Sequence, residues 1–220
     1  MSLQVKNIEK SFGKNIILKD VSMTCQKGEI LGIFGRNGTG KSSLMKIIFG
    51  ILKHDKGTIE IDQKSYYQNE IIPNQEISYL PQDTFLPKNI KVRNIIPFFF
   101  QDGCDQDKIF YSKGVGNFTQ RKIKELSLGQ LRYLEILLIG HLNHSYMLLD
   151  EPFSMIEPIY KDFIKELLLK LKNQKGIILT DHYYSDVLEI SDKNYLIKDG
   201  SILKIQNKND LIKSEYLNKK

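Results

Sequence analysis

Apolar and polar positions along this chain follow two kinds of pattern, and each predicts a different layer of structure. Leu3-Gln4-Val5-Lys6-Asn7-Ile8 and Val21-Ser22-Met23-Thr24-Cys25 alternate apolar and polar residues, as strands with one solvated face do. Ser11-Phe12-Gly13 reads as a turn carrying an aromatic, and Gly57-Thr58-Ile59-Glu60-Ile61-Asp62 as a further exposed strand. Unbroken apolar runs at 29–34, 146–149 and 177–180 read as buried strands, and Ile77–Leu80 as a short strand stopped by Pro81. Helical patterns cover Lys41 to Gly50, residues 130–141 and a long segment opened by Pro158. In the last of these Ile159, Phe163, Ile164, Leu167, Leu168 and Leu171 form one apolar stripe, and proline suits a first helical turn. Tyr195–Leu203 reads as a hairpin turning at Asp199-Gly200, and 208–213 as a short closing helix.

Between Gln82 and Ser127 the pattern loosens: Pro87, Pro97, Gly103, Gly114 and Gly116 separate helical pieces placed at 91–101 and 118–125. This predicts a small helical subdomain over 83–127, inserted into a core formed by 1–81 and 128–220, with Phe98-Phe99-Phe100 as its own apolar centre. Buried strands alternating with helices imply an α/β fold with a mainly parallel sheet. The alternating strands imply an added antiparallel β subdomain.

Composition adds limits. With 220 residues, 41% hydrophobic and 26% charged, the chain suits one globular unit. Cys25 and Cys104 match no metal or redox spacing and read as reduced thiols of a cytosolic protein. No apolar run approaches the ~20 residues of a membrane-spanning helix, and Met1-Ser2-Leu3-Gln4 runs into a strand with no signal-peptide pattern. The net charge of +6 reads as a lysine-rich surface with no single basic block, and Lys219-Lys220 as a frayed tail.

The chemistry centres on Gly35-Arg36-Asn37-Gly38-Thr39-Gly40-Lys41-Ser42, followed by Ser43. It fits G-x-x-x-x-G-K-[ST] between a buried strand and a helix, the phosphate-loop arrangement. Glycines let the backbone turn its N–H groups inward, and the helix N-terminus adds positive potential. Lys41 reaches β- and γ-phosphates and the Ser42 hydroxyl can ligate Mg2+. A second apolar strand ends in Asp150-Glu151. Asp150 is placed to hold Mg2+ through water, opposite Ser42, and Glu151 to polarise a water for attack on the γ-phosphate.

The phosphate loop, Gln82, Leu126-Ser127-Leu128-Gly129-Gln130, Asp150-Glu151 and His182, in this order, resemble an ATP-binding cassette (ABC) ATPase over essentially the whole chain. The resemblance implies a phosphate-loop NTPase fold of that type, with ATP and Mg2+ as cofactors. It implies that Phe12 stacks on adenine, that Gln82 touches Mg2+ and the attacking water, and that His182 contacts the γ-phosphate. It further implies that Ser127, Gly129 and Gln130 serve the ATP held by a partner subunit's phosphate loop. Two copies, identical or pseudo-symmetric, would close around two ATP molecules on the cytoplasmic face of a membrane. They would drive a transmembrane permease on a separate chain, docked beside Gln82 over residues 83–92 through Phe85, Leu86 and Ile90. This sequence departs from the family pattern at Leu128, usually glycine, and at Glu157, usually aspartate. Leu128 is expected to point away from the nucleotide. Two other readings stay open: a soluble ABC ATPase acting on nucleic acid or ribosomes, disfavoured by a single cassette with no basic arm, and a nucleotide-dependent switch with little turnover.

Overall fold

The computed structural model describes residues 1–217, so the expected Lys219-Lys220 tail lies outside the described residues. In chain order the strands and helices are β1 (Ser2–Phe12), β2 (Asn15–Gln26), β3 (Ile30–Phe34), α1 (Lys41–Phe49), β4 (Lys56–Ile61), β5 (Lys64–Tyr66), α2 (Gln68–Ile71), β6 (Ile77–Leu80), α3 (Val92–Phe99) and α4 (Gly103–Phe110). After two 3-10 turns, Val115–Phe118 and Ile123–Glu125, come α5 (Leu128–Gly140), β7 (Tyr146–Asp150), α6 (Pro158–Leu171), β8 (Gly176–Thr180), α7 (Tyr184–Ile190), β9 (Lys193–Lys198), β10 (Ser201–Ile205) and α8 (Lys208–Lys213).

Two sheets form. A six-stranded sheet has the order β10-β9-β3-β8-β7-β6, and a four-stranded sheet the order β2-β1-β4-β5. From β9 to β6 the first is parallel, and only β10 runs against it. The second is antiparallel throughout. Strands β3, β7 and β8 are buried at every position, which is why they show no alternation in the sequence. The 195–203 hairpin belongs to the main sheet: β9 pairs parallel to β3, leaving the antiparallel layer to the other four strands.

The first hairpin is longer than the alternation predicts, and Phe12 ends β1 rather than sitting in a turn. Bulges between Val5 and Ile8 and again after Ile8 break the period. Asn7 and Asp20 sit there with φ of 52° each, joined by a 2.6 Å hydrogen bond from Asn7 Nδ2 to Asp20 Oδ1. A bulge shifts side chains from one face to the other, so a true strand loses its simple pattern.

One apolar cluster lies between the two sheets and takes in Leu44, Ile47 and Ile48 of α1. The other covers the opposite face of the large sheet with α5 and α6, and continues through Leu86, Val92, Ile96, Phe100 and Phe118 of the 83–127 segment. That segment differs from expectation in two ways. No helix covers 118–125: Val92 N donates to Arg121 O (3.0 Å) and Ile123 N to Ile90 O (2.9 Å), spending on the segment leading into α3 the groups a helix would use internally. Phe98-Phe99-Phe100 is not one apolar centre either. Phe100 is buried, Phe99 partly so and Phe98 is 78% exposed, because consecutive positions at a helix end point about 100° apart. Helix α4, built from polar residues behind an Asp102 cap whose Oδ1 accepts from Cys104 N at 2.7 Å, had no apolar stripe to reveal it.

Candidate functional site

The phosphate loop leaves the C-terminal end of β3 and enters α1 through Gly40, whose φ of 101° is left-handed. A side chain there would also meet Ile17 Cγ2 at 2.7 Å, so only glycine fits. No side chain caps α1, which leaves its first N–H groups free for an anion. Lys41 is buried, and its ammonium donates to Gly35 O (2.7 Å) and Arg36 O (3.2 Å). Burial pushes its pKa down, against the pull of the Glu151, Asp150 and Asp181 carboxylates. An incoming phosphate would draw this ammonium from carbonyls to anionic oxygens, a stronger partnership.

Phe12, Asn37, Gly38, Gly40, Lys41, Ser42, Ser43, Gln82, Glu151 and His182 line one cleft of about 450 Å3. Phe12 is half-exposed at its mouth with Lys10 Nζ 5.2 Å from the ring centre, an accessible ring of the kind that stacks on a base.

Glu151 is where three separate segments meet. Its Oε2 accepts from Gln82 Nε2 (2.9 Å) and Ser154 Oγ (3.2 Å), and its Oε1 lies 3.0 Å from His182 Nε2. The residue is held at φ 57°, a left-handed conformation that a non-glycine residue adopts at an energetic cost and that gathers at functional sites. Its backbone N–H donates to Thr180 O at 2.9 Å, fixing that turn. Asp150 ends β7 beside Glu151. It is buried and does not line the cleft; Thr180 Oγ1 donates to its Oδ1 (2.6 Å) and Tyr79 OH to its Oδ2 (3.4 Å).

Sequence reasoning passed over Asp181. This buried carboxylate accepts from Phe153 N (2.7 Å), Tyr183 N (3.0 Å) and Ser154 Oγ (3.4 Å). Burial pushes its pKa up, while the backbone donors oppose the shift and the nearby Glu151 adds to it. Asp181 thereby ties the loop after Glu151 to the loop carrying His182. The available signal was an acid directly after the apolar strand β8, the same pattern as Glu151 after β7. Arg132 and Glu135 were missed as well. The Arg132 guanidinium, buried in α5, donates to Asp150 O and Gln82 O (3.0 Å each) and to Pro81 O (2.8 Å), and contacts Glu135 Oε2 at 3.3 Å. Glu135 in turn accepts from Thr84 Oγ1 (2.6 Å) and Phe85 N (3.2 Å). This ion pair fastens the Gln82 segment to the end of β7.

Two phosphate-loop side chains turn away from the cleft. Arg36 Nη2 donates to Glu215 O at 2.7 Å, and Thr39 Oγ1 donates to Arg36 O at 2.9 Å. Only their backbones can serve a nucleotide there. Ser127, Gly129 and Gln130 also lie off the cleft. Ser127 Oγ accepts from Gln130 N (3.3 Å), and Gln130 Oε1 accepts from Ser127 N (3.0 Å), a capping box that starts α5. At Gly129 an added Cβ would lie 2.2 Å from Glu157 Oε2 and 2.7 Å from Tyr160 Cδ2. Leu128 is 52% exposed and lines, with Met155, an adjoining depression that shares Gln82 and Glu151 with the cleft.

A parallel sheet with an uncapped helix after a glycine-rich loop, carrying a buried lysine and facing a strand-end glutamate, defines a phosphate-loop nucleotide-binding protein. Comparison with known proteins narrows the class. A family described as "ABC transporter" matches residues 18–154, and the chain belongs to the ABC transporter family as an ATP-binding cassette of ATPase type. An ABC transporter ATP-binding protein of Methanocaldococcus jannaschii is 28% identical over 207 residues, covering 90% of this chain and 74% of the relative. The lipopolysaccharide export system ATP-binding protein LptB of Escherichia coli (strain K12) is 26% identical over 231 residues, covering 98% and 95%. The crystal structure of an ATP-binding cassette of an ABC transporter in its ADP conformation superposes with a TM-score of 0.83 at 25% identity, over 98% of this chain and 96% of that one.

Proposed function

We propose that this chain is the ATP-hydrolysing subunit of a transporter, that Glu151 polarises the attacking water, and that two copies must meet to complete each site. The observation that carries the reading is the convergence of Gln82, Ser154 and His182 on the Glu151 carboxylate at the edge of the phosphate-loop cleft. A carboxylate oriented by three neighbours is held where it can accept a proton from water attacking in line. His182, 3.0 Å from Glu151 and lining the cleft, is placed to meet the γ-phosphate. Phe12 supplies the adenine platform, and the free N–H groups of the loop take the phosphates.

Mg2+ fits the donor set. The Ser42 hydroxyl and the Gln82 side chain line the cleft, and Gln82 spends its amide N–H on Glu151, leaving its carbonyl oxygen as a hard donor. Among the described residues no cluster of three His, Cys, Asp or Glu forms a metal cage, which suits an ion shared with phosphate oxygens. Ser42 and Gln82 would hold it directly and Asp150 through water; bound, the ion neutralises charge on the transferring phosphate.

Ser127, Gly129 and Gln130 stand apart from the cleft, which supports a role toward a second copy's nucleotide. Among the described residues no helix is long and apolar enough to cross a membrane. The relatives are ATP-binding proteins of transport systems, which supports assigning the transmembrane part to a separate chain and this subunit to its cytoplasmic face. The docking surface needs one correction: Leu86 is buried and Ile90 packs against the core. The exposed apolar side chains of that region are Phe85 and Phe98, and these are the contacts we assign to a permease helix.

Steady-state Mg-ATP hydrolysis as a function of protein concentration tests the reading. The rate should rise faster than linearly, and Glu151→Gln should lose roughly 10²–10⁴-fold in turnover with ATP still bound. Full turnover in Glu151→Gln would remove Glu151 from the chemistry. A strictly linear rate would remove the composite site.

A further inference from the structure

The phosphate loop has a second face, behind the cleft, and the turn that follows α8 grips it. Tyr216 folds back on α8, its N–H donating to Leu211 O at 3.0 Å, and Glu215 takes a left-handed φ of 61° to make the reversal. The Tyr216 ring packs on Phe34, the last residue of β3, with centroids 6.0 Å apart. Burial pushes the Tyr216 hydroxyl pKa up, while the backbone N–H of Gly35 opposes the shift; the Asp181 and Glu151 carboxylates also bear on it. Because Phe34 directly precedes Gly35, and Arg36 and Thr39 bound the same cavity as Tyr216, this side chain lies against the start of the phosphate loop. Arg36 Nη2 donates to Glu215 O (2.7 Å). Lys198 Nζ donates to Ser214 O (3.0 Å) and lies 3.2 Å from Glu215 Oε2. These contacts surround a small cavity of about 140 Å3 bounded by Arg36, Thr39, Ile197 and Tyr216.

We infer that the 214–217 turn is a positioning element for nucleotide binding: it holds the phosphate loop from behind and keeps the Arg36 guanidinium out of the cleft. The inference rests on the proposed function, because it acts on the same loop. The loop must present several N–H groups to one anion, and such an array binds best when its shape is set before the ligand arrives. On the cleft side the loop's own contacts are short-range: Lys41 on Gly35 O and Arg36 O, and Thr39 on Arg36 O. The turn after α8 adds the tertiary contact, and Arg36 is the residue common to both sets. Arg36 is thus a structural anchor facing the 214–217 turn, and no ligand of the nucleotide. Tyr216 bounds the cavity behind the loop and does not line the nucleotide cleft, so its effect falls on binding and leaves the chemical step alone.

The test measures Mg-ATP affinity by titration with a fluorescent ATP analogue, together with KM, kcat and thermal midpoint, on the full chain. Tyr216→Ala should raise Kd and KM roughly fivefold with kcat within about twofold of wild type. Tyr216→Phe, which keeps the ring on Phe34, should restore both. Lys198→Met, a surface change that frees Ser214 O and Glu215, should move Kd in the same direction by about twofold, and it decides the matter if Tyr216→Ala does not fold. A folded Tyr216→Ala chain with wild-type Kd, or one that loses kcat while keeping Kd, would overturn the inference. A wild-type chain that binds no Mg-ATP would overturn the functional reading and this inference with it, so the two failures are distinct.

Discussion

Helices α1 and α5 begin in the same kind of sequence, a glycine-containing turn with a hydroxyl residue, yet their N-termini are in opposite states. Helix α1 is entered through left-handed Gly40 with no side-chain cap, and its first turn opens on the 450 Å3 cleft. Helix α5 is closed by its own residues: Ser127 and Gln130 satisfy each other's backbone N–H groups, and its start lies off the cleft. An unspent helix N-terminus beside a buried lysine can take a phosphate at once. A capped one must exchange the Ser127–Gln130 N contact, 3.3 Å and long, for a better acceptor. One end therefore binds nucleotide within the single chain. The other lies off this chain's cleft, and under the proposed two-copy reading its hydroxyl serves a phosphate held by the second copy.

The largest effect that could break this contrast comes from Lys41. Replacing it with methionine keeps the stem and removes the charge-assisted contacts to phosphate, so Mg-ATP affinity should fall roughly a hundredfold. The check is equilibrium binding at protein concentrations too low for self-association. Retained affinity in Lys41→Met would mean that the open N-terminus of α1 is not what holds the phosphates.

A smaller effect sharpens the other side. Ser127 is both the cap of α5 and the candidate donor to a partner's phosphate, so Ser127→Ala alone confuses two roles: it loses the cap, worth about 1 kcal/mol, and the donor. Ser127→Asp separates them, since aspartate caps as well as serine but repels phosphate. Its thermal midpoint should stay at the wild-type value and ATP binding by the dilute chain should be unchanged, while turnover at high protein concentration drops roughly tenfold or more. Unchanged turnover in Ser127→Asp would show that α5 never meets a nucleotide.

This contrast also explains what could be read in the sequence. The phosphate loop was legible because each position obeys a local backbone demand, as at Gly40. The fully buried strands β3, β7 and β8 were legible as unbroken apolar runs, and Glu151 because it directly follows one of them. Asp181, Arg132 and Glu135 were not, because their meaning lies in tertiary partners: Phe153 and Tyr183 for the first, Pro81, Gln82, Thr84 and Phe85 for the others. Arg36 and Thr39 fit the motif by position, but the Arg36 side chain is drawn to the turn at Glu215, far along the chain, and the Thr39 hydroxyl is spent on Arg36 O. Helix α4 and the broken 118–125 stretch follow from polar capping and from backbone bonds to the 90–93 segment, which leave no hydrophobic period.

The smallest expected effect concerns Leu128, where the usual glycine of the family pattern is absent. Its side chain is half-exposed, beside Met155 rather than in the nucleotide cleft. Leu128→Gly has two consequences, both unfavourable. Glycine weakens the first turn of α5 by at most about 1 kcal/mol, which lowers the thermal midpoint by roughly 2–4 °C for a chain of this size. It also removes apolar area that two copies could bury against each other, which weakens association. Neither term touches the Ser127 hydroxyl or the Gly129 backbone. Turnover per assembled pair should therefore stay within about twofold of wild type, while the protein concentration needed for half-maximal rate moves upward. The measurement is the rate-against-concentration curve of Leu128→Gly beside wild type. A several-fold rise in the plateau rate would instead mean that the Leu128 side chain obstructs the phosphate at the start of α5, and that the contrast between the two helix ends is partly the work of this one substitution.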